Sequence, residues 1–453
     1  VGNGTSLVCH DLSDIGRRRA NNQDSRAVLP PADPHQYQTR GWVFLVADGM
    51  GAHAAGELAS SIAARQVPLV YEKTAQRSPP LALRRGIEQV NAEIHQRGEN
   101  AAEFRGMGTT CSVLVLLPRG ALVAQVGDSR VYRVRKHTID QLSRDHSLVW
   151  DLEASGGLSR EQAGAAPRNI ITRSMGPHPR VEVDLEGPFP VDDGDVFVLC
   201  SDGLSGQVAD EEIGLVAAAL EPRRAAETLL GLALIRGGPD NVTVIVARAG
   251  PEEATPRNRR GDDWPLTEEE PPPRQPARPA WWPLAASAVG LFVSLLASPW
   301  SDLTQRLPEP LRTICLVFSA AALLVAVGSL VVAIIGFLPT DPGRSFVLQP
   351  GGRLGRGPYR TYDCRPRQAL LDGIVGSIES AADGLADAQR LPTLDLLGRA
   401  RQAATRGATA EALAEVAAAV AIYTRSLEAA RSGETLRSPA AGRQPPPPPQ
   451  GPA

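Results

Sequence analysis

Lysine is nearly missing from this sequence of 453 residues. It stands only at Lys73 and Lys136, and every other basic side chain is arginine. We read this as base-composition bias in the coding genome. Cysteine is scarce as well. Cys9, Cys111, Cys200, Cys315 and Cys364 are an odd, scattered set with the spacing of neither a zinc site nor a disulfide framework. Cys111 and Cys200 lie in apolar runs and read as core thiols, which suits a reducing compartment. His10, His53 and His146 form no cluster with the cysteines, so zinc chemistry is not expected. Excess charge is lacking too. A formal net charge of -3 gives no overall attraction to nucleic acid, and no such partner is expected. No basic segment followed by an apolar stretch opens the chain, so no signal peptide is expected.

What is present changes along the chain. Over residues 1–250, apolar runs bounded by Gly, Asp or Pro predict strands at 42–47, 111–117, 121–126, 131–135, 195–200 and 242–248. Helical periodicity predicts helices at 56–74, 81–97, 210–220 and 223–236. Clustered strands with helices between the clusters predict an α+β domain of antiparallel sheets. Residues 251–280 are Pro-rich and charged and read as a disordered linker of ~30 Å reach. Two uncharged apolar stretches follow, at about 281–300 and 316–338, each near the ~20 residues that span a bilayer. They predict a transmembrane hairpin over 281–338. Arg274, Arg278, Arg344, Arg353 and Arg356 flank it, against Arg306 and Arg312 in its loop, so both long parts of the chain are expected in the cytoplasm. Residues 339–366 read as a further linker and 367–431 as a helical region. Its stripes are Leu370, Ile374, Ile378 and Leu385, and Leu413, Val416, Val420, Tyr423 and Leu427. They fit a hairpin packed on itself or a surface for a protein partner. Residues 432–453 are a Pro-rich disordered tail.

The informative pattern is where carboxylates stand. The apolar run before "ADGMGAHAAGE" stops at Asp48. Asp128 follows another run in "VGDSR", Asp202 follows a third in "VLCSDGL", and Asp240 precedes a fourth in "GGPDNVTV"; Asp24 sits in "RANNQDS". A lone Asp-Gly after a strand is usually a turn. Five such carboxylates in one domain would repel one another at a sheet end, and hard divalent cations with oxygen ligands resolve that repulsion.

The ordered set "RANNQD", "DGMGAHAAGE", "MGTT", "GDSR", "DHS", "SDGL", "GGPDNVTV" resembles the metal-dependent protein phosphatases, the type 2C serine/threonine phosphatases, in their bacterial branch, over residues of about 5–248. The resemblance implies a central β-sandwich of two antiparallel sheets flanked by helices, with two manganese or magnesium ions at one end and a weaker third. It implies that Asp48 bridges both ions, that the Gly49 carbonyl completes the second site, and that Asp202 and Asp240 hold the first. Asp24 would bond metal-bound water, and Asp128 would join Asp202 at the third site. Arg19 would clamp the substrate phosphate, a role Arg17 or Arg18 also fits by position. Gln23 and Asn241 would stand behind the ligands. The small residues after Asp48 would let a main-chain carbonyl approach a metal.

Two departures are visible. Gln23 stands where relatives often have Glu, and Met50 where others have a candidate acid His; His53 is an alternative donor. The ligands are all present, so the expected activity is hydrolysis of phosphoserine and phosphothreonine by a two-metal-activated water. The expected setting is the cytoplasmic (inner) membrane, multi-pass, opposing a serine/threonine kinase on phosphorylated protein substrates. The alternative is a catalytically weak phosphatase-like membrane scaffold.

Overall fold

The structure, a computed structural model, describes residues 7–51, 55–156, 170–255, 263–267, 282–298, 302–337 and 347–432. They fall into two compact units, one of Val1–Pro265 with Leu348–Ala453 and one of Leu266–Val347.

The first unit is built on two antiparallel sheets. One contains β2 (Asp24–Leu29), β3 (Trp42–Met50), β4 (Gly108–Thr109), β5 (Cys111–Leu117), β6 (Gly120–Val126) and β9 (Asp184–Phe189), in the order β2-β3-β5-β6-β9 with β4 paired to β3. The other runs β1 (Val8–Asp14), β11 (Val242–Arg248), β10 (Val196–Cys200), β7 (Arg130–Arg135), β8 (Thr138–Gln141) and β12 (Arg360–Asp363). β5, β6 and β10 are apolar almost throughout because both their faces are covered. In β10, Phe197 and Leu199 fill the core between the sheets, with Phe44, Leu114 and Ile245. Val196, Val198 and Cys200 alternate onto the outer face. In β3, Val43, Leu45 and Ala47 face outward against α2 (Ala55–Thr74) and α3 (Pro79–Asn100). The expected sandwich of antiparallel sheets is therefore present.

Around this frame stand α1 (Pro34–Thr39), α4 (Leu148–Ala154), the short α5 (Asp202–Ser205), α6 (Asp210–Ala219) and α7 (Pro222–Ile235). The outer face of the second sheet is covered by α6 and α7, and α7 is covered in turn by chain from after the hydrophobic unit. There lie α10 (Gln368–Ala382), α11 (Asp387–Thr405) and α12 (Thr409–Ser432). Ile374, Ile378, Leu413, Val416, Val420 and Tyr423 share one apolar cluster with Leu229, Leu232 and Ile213. Most of both stripes is buried, with Leu370, Leu385 and Leu427 partly so, but the bundle is not packed only on itself, because it also packs on α7. The approach is close at Gly231, where a Cβ would collide with Val420 Cγ1.

The flanking linkers are shorter than expected. β12 lies inside 339–366 and pairs with β8, Tyr362 opposite Ile139. Cys364 behind it is buried against Gly214. Within 251–280, Thr255 exchanges main-chain and hydroxyl bonds with Val191. Trp264 lies 4.1 Å beneath the Arg119 guanidinium. Composition missed these segments because they hold on through single polar and aromatic side chains. The tail 433–453 lies outside the described residues.

In the second unit, α8 (Trp282–Leu296) and α9 (Glu309–Phe337) form an antiparallel helical pair. Ser294 and Ser319 share a hydrogen bond, and Gly290 lies against Ala322 and Ala326, the small-residue contact that lets apolar helices approach. Among the described residues one helix is long and apolar enough to cross a membrane, over Glu309–Val331; Leu284–Leu296 is apolar but shorter. The expected two-helix transmembrane hairpin is not shown, since one helix of the pair qualifies as a span. The expected 281–300 stretch runs beyond the described residues.

Candidate active site

The sheet ends bring the predicted carboxylates together. In the β2–β3 ladder, Asp24 is directly opposite Asp48. Asp48 is fixed from behind by threonines: its N–H donates to Thr110 Oγ1 (2.8 Å), and its carbonyl accepts from Thr109 Oγ1 (3.0 Å). Asp202 crowds Asp48 as well, close enough for the two carboxyls to act on each other. Asp24 Oδ2 accepts from Ser201 Oγ (2.8 Å) at the end of β10. Asp240 accepts from Arg19 (2.7 Å) and from the Asn241 N–H (2.8 Å). Of the three candidate clamps Arg19 alone contacts the cluster; Arg17 instead reaches Tyr423 (3.4 Å).

The residues behind the ligands are staples. Asn241 Oδ1 accepts from the Gln23 N–H (2.9 Å), and its amide donates to the carbonyls of Ile15 and Asn21. The Gln23 side-chain amide points to the Gly51 carbonyl (3.5 Å). The small residues at the end of β3 have a packing reason. A Cβ on Gly49 would collide with the Gly56 and Gln23 carbonyls, so glycine lets the start of α2 meet the strand. Ala52 and His53 lie outside the described residues, as do 157–169 beyond α4.

Crowded acids cannot all ionise in a dry site. Burial, with repulsion from Asp202 and Asp240, pushes Asp24 up to about 7. Burial, with repulsion from Asp202 and Asp145, pushes Asp128 up to about 8. Asp48 is raised well above the carboxylate range by burial and then by Asp24, Asp202 and Asp128; Asp202 is raised by burial and then by Asp240. Three buried oxygens, Asp24 Oδ1, Asp128 Oδ1 and Asp202 Oδ1, have no hydrogen-bond partner. Orphaned oxygens on an all-oxygen, multiply anionic donor set fit hard divalent cations. Among the described residues no three acidic, His or Cys side chains are closed to ligating distance. The fit therefore rests on donor chemistry and not on a preformed cage.

This electrostatic arrangement has a pH consequence. A carboxyl raised in the fold binds more protons folded than unfolded, so stability falls as pH rises between about 4 and the folded values of about 7 and 8. Asp184 is pushed up by burial, but hydrogen bonds from His146 and Arg173 outweigh this and hold it at about 2, so it is silent in that window. The melting temperature of chelator-treated protein is expected to fall from pH 5 to pH 8. Manganese should restore it most at pH 8, where ionised ligands are available. A chelated melting temperature that is flat or rising across the window would remove the raised carboxyls from the account.

Sequence reasoning assigned no role to Thr110, Ser201 or His146, although "MGTT", "SDGL" and "DHS" contain them. His146 Nδ1 accepts from the Gly127 N–H (3.0 Å) and its Nε2 faces Asp184 (3.0 Å), which pins the turn carrying Asp128. Beside the cluster opens a groove of about 370 Å³. Asp128 and Asp202 form one end, Trp150 and Glu153 of α4 a wall, and Arg360 and Tyr362 of β12 another.

The protein phosphatase 2C family model matches residues 16–229. The serine/threonine phosphatase stp of Listeria monocytogenes is 35% identical over 243 residues, 52% of this chain and 92% of its own length. The protein phosphatase PhpP of Streptococcus pneumoniae is 36% identical over 251 residues, 54% of this chain and 98% of its own. The chain belongs to the protein phosphatase 2C family. Among solved structures, the catalytic domain of the serine/threonine protein phosphatase PstP, in complex with two manganese ions, is 32% identical and aligns with 54% of this chain and 98% of its own, with a TM-score of 0.45. By its likeness to stp and PhpP this protein phosphatase 2C is an enzyme of the serine/threonine phosphatase class, a family that uses manganese or magnesium. The stretches aligned with stp and PhpP span only about half of the chain, so they cannot include all of the hydrophobic helices, β12 and the α10–α12 bundle.

Proposed function

We propose that this phosphatase is anchored in the cytoplasmic membrane with its catalytic unit in the cytoplasm, where it hydrolyses phosphoserine and phosphothreonine on proteins and opposes a kinase. The observation that carries the chemistry is the set of orphaned oxygens on Asp24, Asp128 and Asp202 around Asp48, with Arg19 at the rim. In our reading Asp48, the Gly49 carbonyl, Asp202 and Asp240 hold two manganese or magnesium ions, Asp24 acts through water, and Asp128 with Asp202 serves a weaker third. Such ions supply an activated water and neutralise charge on the phosphoryl oxygens. The chain's own residues do the rest. Arg19, half exposed, offers a planar fork to the phosphate dianion in place of Asp240. Thr110 and Asn241 hold Asp48 and the β2 start in position. Met50 cannot donate a proton, so water or another residue, with His53 a candidate, protonates the leaving group. The intact ligand set favours an active enzyme over a scaffold.

Membrane anchoring is supported by the uncovered apolar faces of the helix pair, where Leu295, Phe318 and Leu324 are 74%, 66% and 75% exposed. Its topology is supported by the first unit. Chain before and after the hydrophobic pair folds together, so both parts lie on one side of a membrane. This favours an even number of crossings, two by α8 and α9.

The test combines both halves. Full-length protein in detergent is expected to release phosphate from a phosphopeptide only with manganese or magnesium, and Asp240→Asn should abolish release. Protease outside intact cells should cut at most the 301–308 loop. Removal of the catalytic unit by external protease would invert the topology.

A further inference from the structure

We infer that Arg431, in the last turn of α12, is a positioning residue for the phosphate clamp, an inference that rests on reading Arg19 as that clamp. The Arg431 guanidinium forks onto Asp14, Nη1 to Oδ2 (2.9 Å) and Nη2 to Oδ1 (3.2 Å), and Nη2 also donates to the Gly16 carbonyl (2.6 Å). Asp14 Oδ1 accepts from the Gly16 N–H (2.7 Å), so one carboxylate and one guanidinium together fix the turn that leaves β1. That turn needs glycine twice over: Gly16 has φ +78°, and a Cβ there would collide with the Asp240 carbonyl. One residue on, the Arg17 N–H donates to the Gly238 carbonyl (2.7 Å) and its guanidinium reaches Tyr423 of α12 (3.4 Å). Two residues further, Arg19 meets Asp240.

Every link in this series is a direct contact. α12 holds Asp14 and Gly16, Gly16 is seated on the main chain of Asp240, and Arg19 projects from the same loop over the Asp240 carboxylate. The Arg431 pair is charge-assisted and partly shielded, with side-chain exposures of 36% and 22%, and its planar fork has no equivalent in lysine. Positive charge in the last turn of α12 also suits the helix dipole. α12 itself is held on α7 through the cluster around Gly231, so Arg431 is presented from a packed helix.

An element that orients the clamp without touching the metal ligands should act on phosphate binding. Weaker binding that is equal in the ground and transition states raises KM and leaves kcat unchanged. In full-length protein with saturating manganese, Arg431→Ala is expected to raise KM for a phosphopeptide about five-fold with kcat within about two-fold, on the scale of losing a charge-assisted bond. The inhibition constant of inorganic phosphate should rise in parallel. Asp14→Asn, made from the other side of the pair, should do the same. The double variant should lose less than the two single losses combined, because the fork between Arg431 and Asp14 is common to both, while each also holds Gly16 separately. Arg431→Lys should recover the parent KM only in part.

Unchanged KM in Arg431→Ala, additive losses in the double variant, or a fall in kcat at constant KM would each overturn the inference. If the parent protein shows no metal-dependent phosphate release in the same assay, the phosphatase reading falls and takes this inference with it. A parent that is active beside an unaffected Arg431→Ala overturns the inference alone.

Discussion

Asp48→Ala is expected to abolish metal-dependent phosphate release, by roughly 10³-fold or more, the scale on which removing a principal electrostatic group acts. Asp48 is the carboxylate the others surround. Asp24 is opposite it in the ladder, and Asp24, Asp202 and Asp128 all act on its charge. Its removal takes a ligand from both proposed ions. Asp128→Ala should be milder. Asp128 stands on the groove side, and repulsion reaches it chiefly from Asp202 and Asp145. We expect about 10–100-fold slower turnover with manganese binding retained, a partial loss for one supporting group. Calorimetric titration separates the two. An Asp128→Ala protein that binds no manganese would displace it from the third site. Loss of fold does not explain the Asp48 effect in this account, because deleting one of several crowded carboxyls relieves repulsion. Chelated Asp48→Ala should melt no lower than the chelated parent at pH 8.

That Asp48 was legible at all follows from contrast. A six-residue apolar run, Trp42 to Ala47, stops at a charge, and turns alone do not call for four such junctions in one domain. Thr110 and Ser201 were not legible as partners, since each makes its contribution through one hydroxyl to a residue 62 or 177 positions away. Pattern carries no such pairing. The α12 stripe was legible as a buried face because period alone reports burial. Its partner, α7, was not, because the amphipathic pattern says that a face is covered and never by what. β12 escaped for a different reason. Arg360–Asp363 has no aliphatic residue, and it counts as a strand only because β8 offers an edge and Cys364 finds a cavity beside Gly214.

The same packing predicts which pieces of the chain stand alone. A fragment ending at residue 250 removes β12 and α10–α12, which strips the cover from α7 and opens the edge of β8. Each large apolar side chain in such an interface contributes about 1.5–3 kcal/mol, against a net stability of about 5–15 kcal/mol for a whole domain. The fragment is expected to aggregate or to melt at least about 10 °C lower, the shift that a few kcal/mol produces at this size. Excising residues 266–347 instead should be well tolerated. The two ends meet on one side chain: the Arg119 guanidinium lies 4.1 Å over the Trp264 ring and donates to the Leu348 carbonyl (3.1 Å). A flexible linker of six Gly and Ser residues reaches about 13 Å, enough to join them. The excised protein keeps every contact of the first unit, from β12 on β8 to Arg431 on Asp14, and loses the exposed apolar helices. It should be monomeric in buffer without detergent, with kcat on a phosphopeptide within a few-fold of the parent, while no longer sedimenting with membranes. Size-exclusion chromatography, thermal melting and the phosphopeptide assay on the two forms decide it. A fragment ending at 250 that is as stable and active as the excised chain would reduce the C-terminal bundle to a passenger on α7.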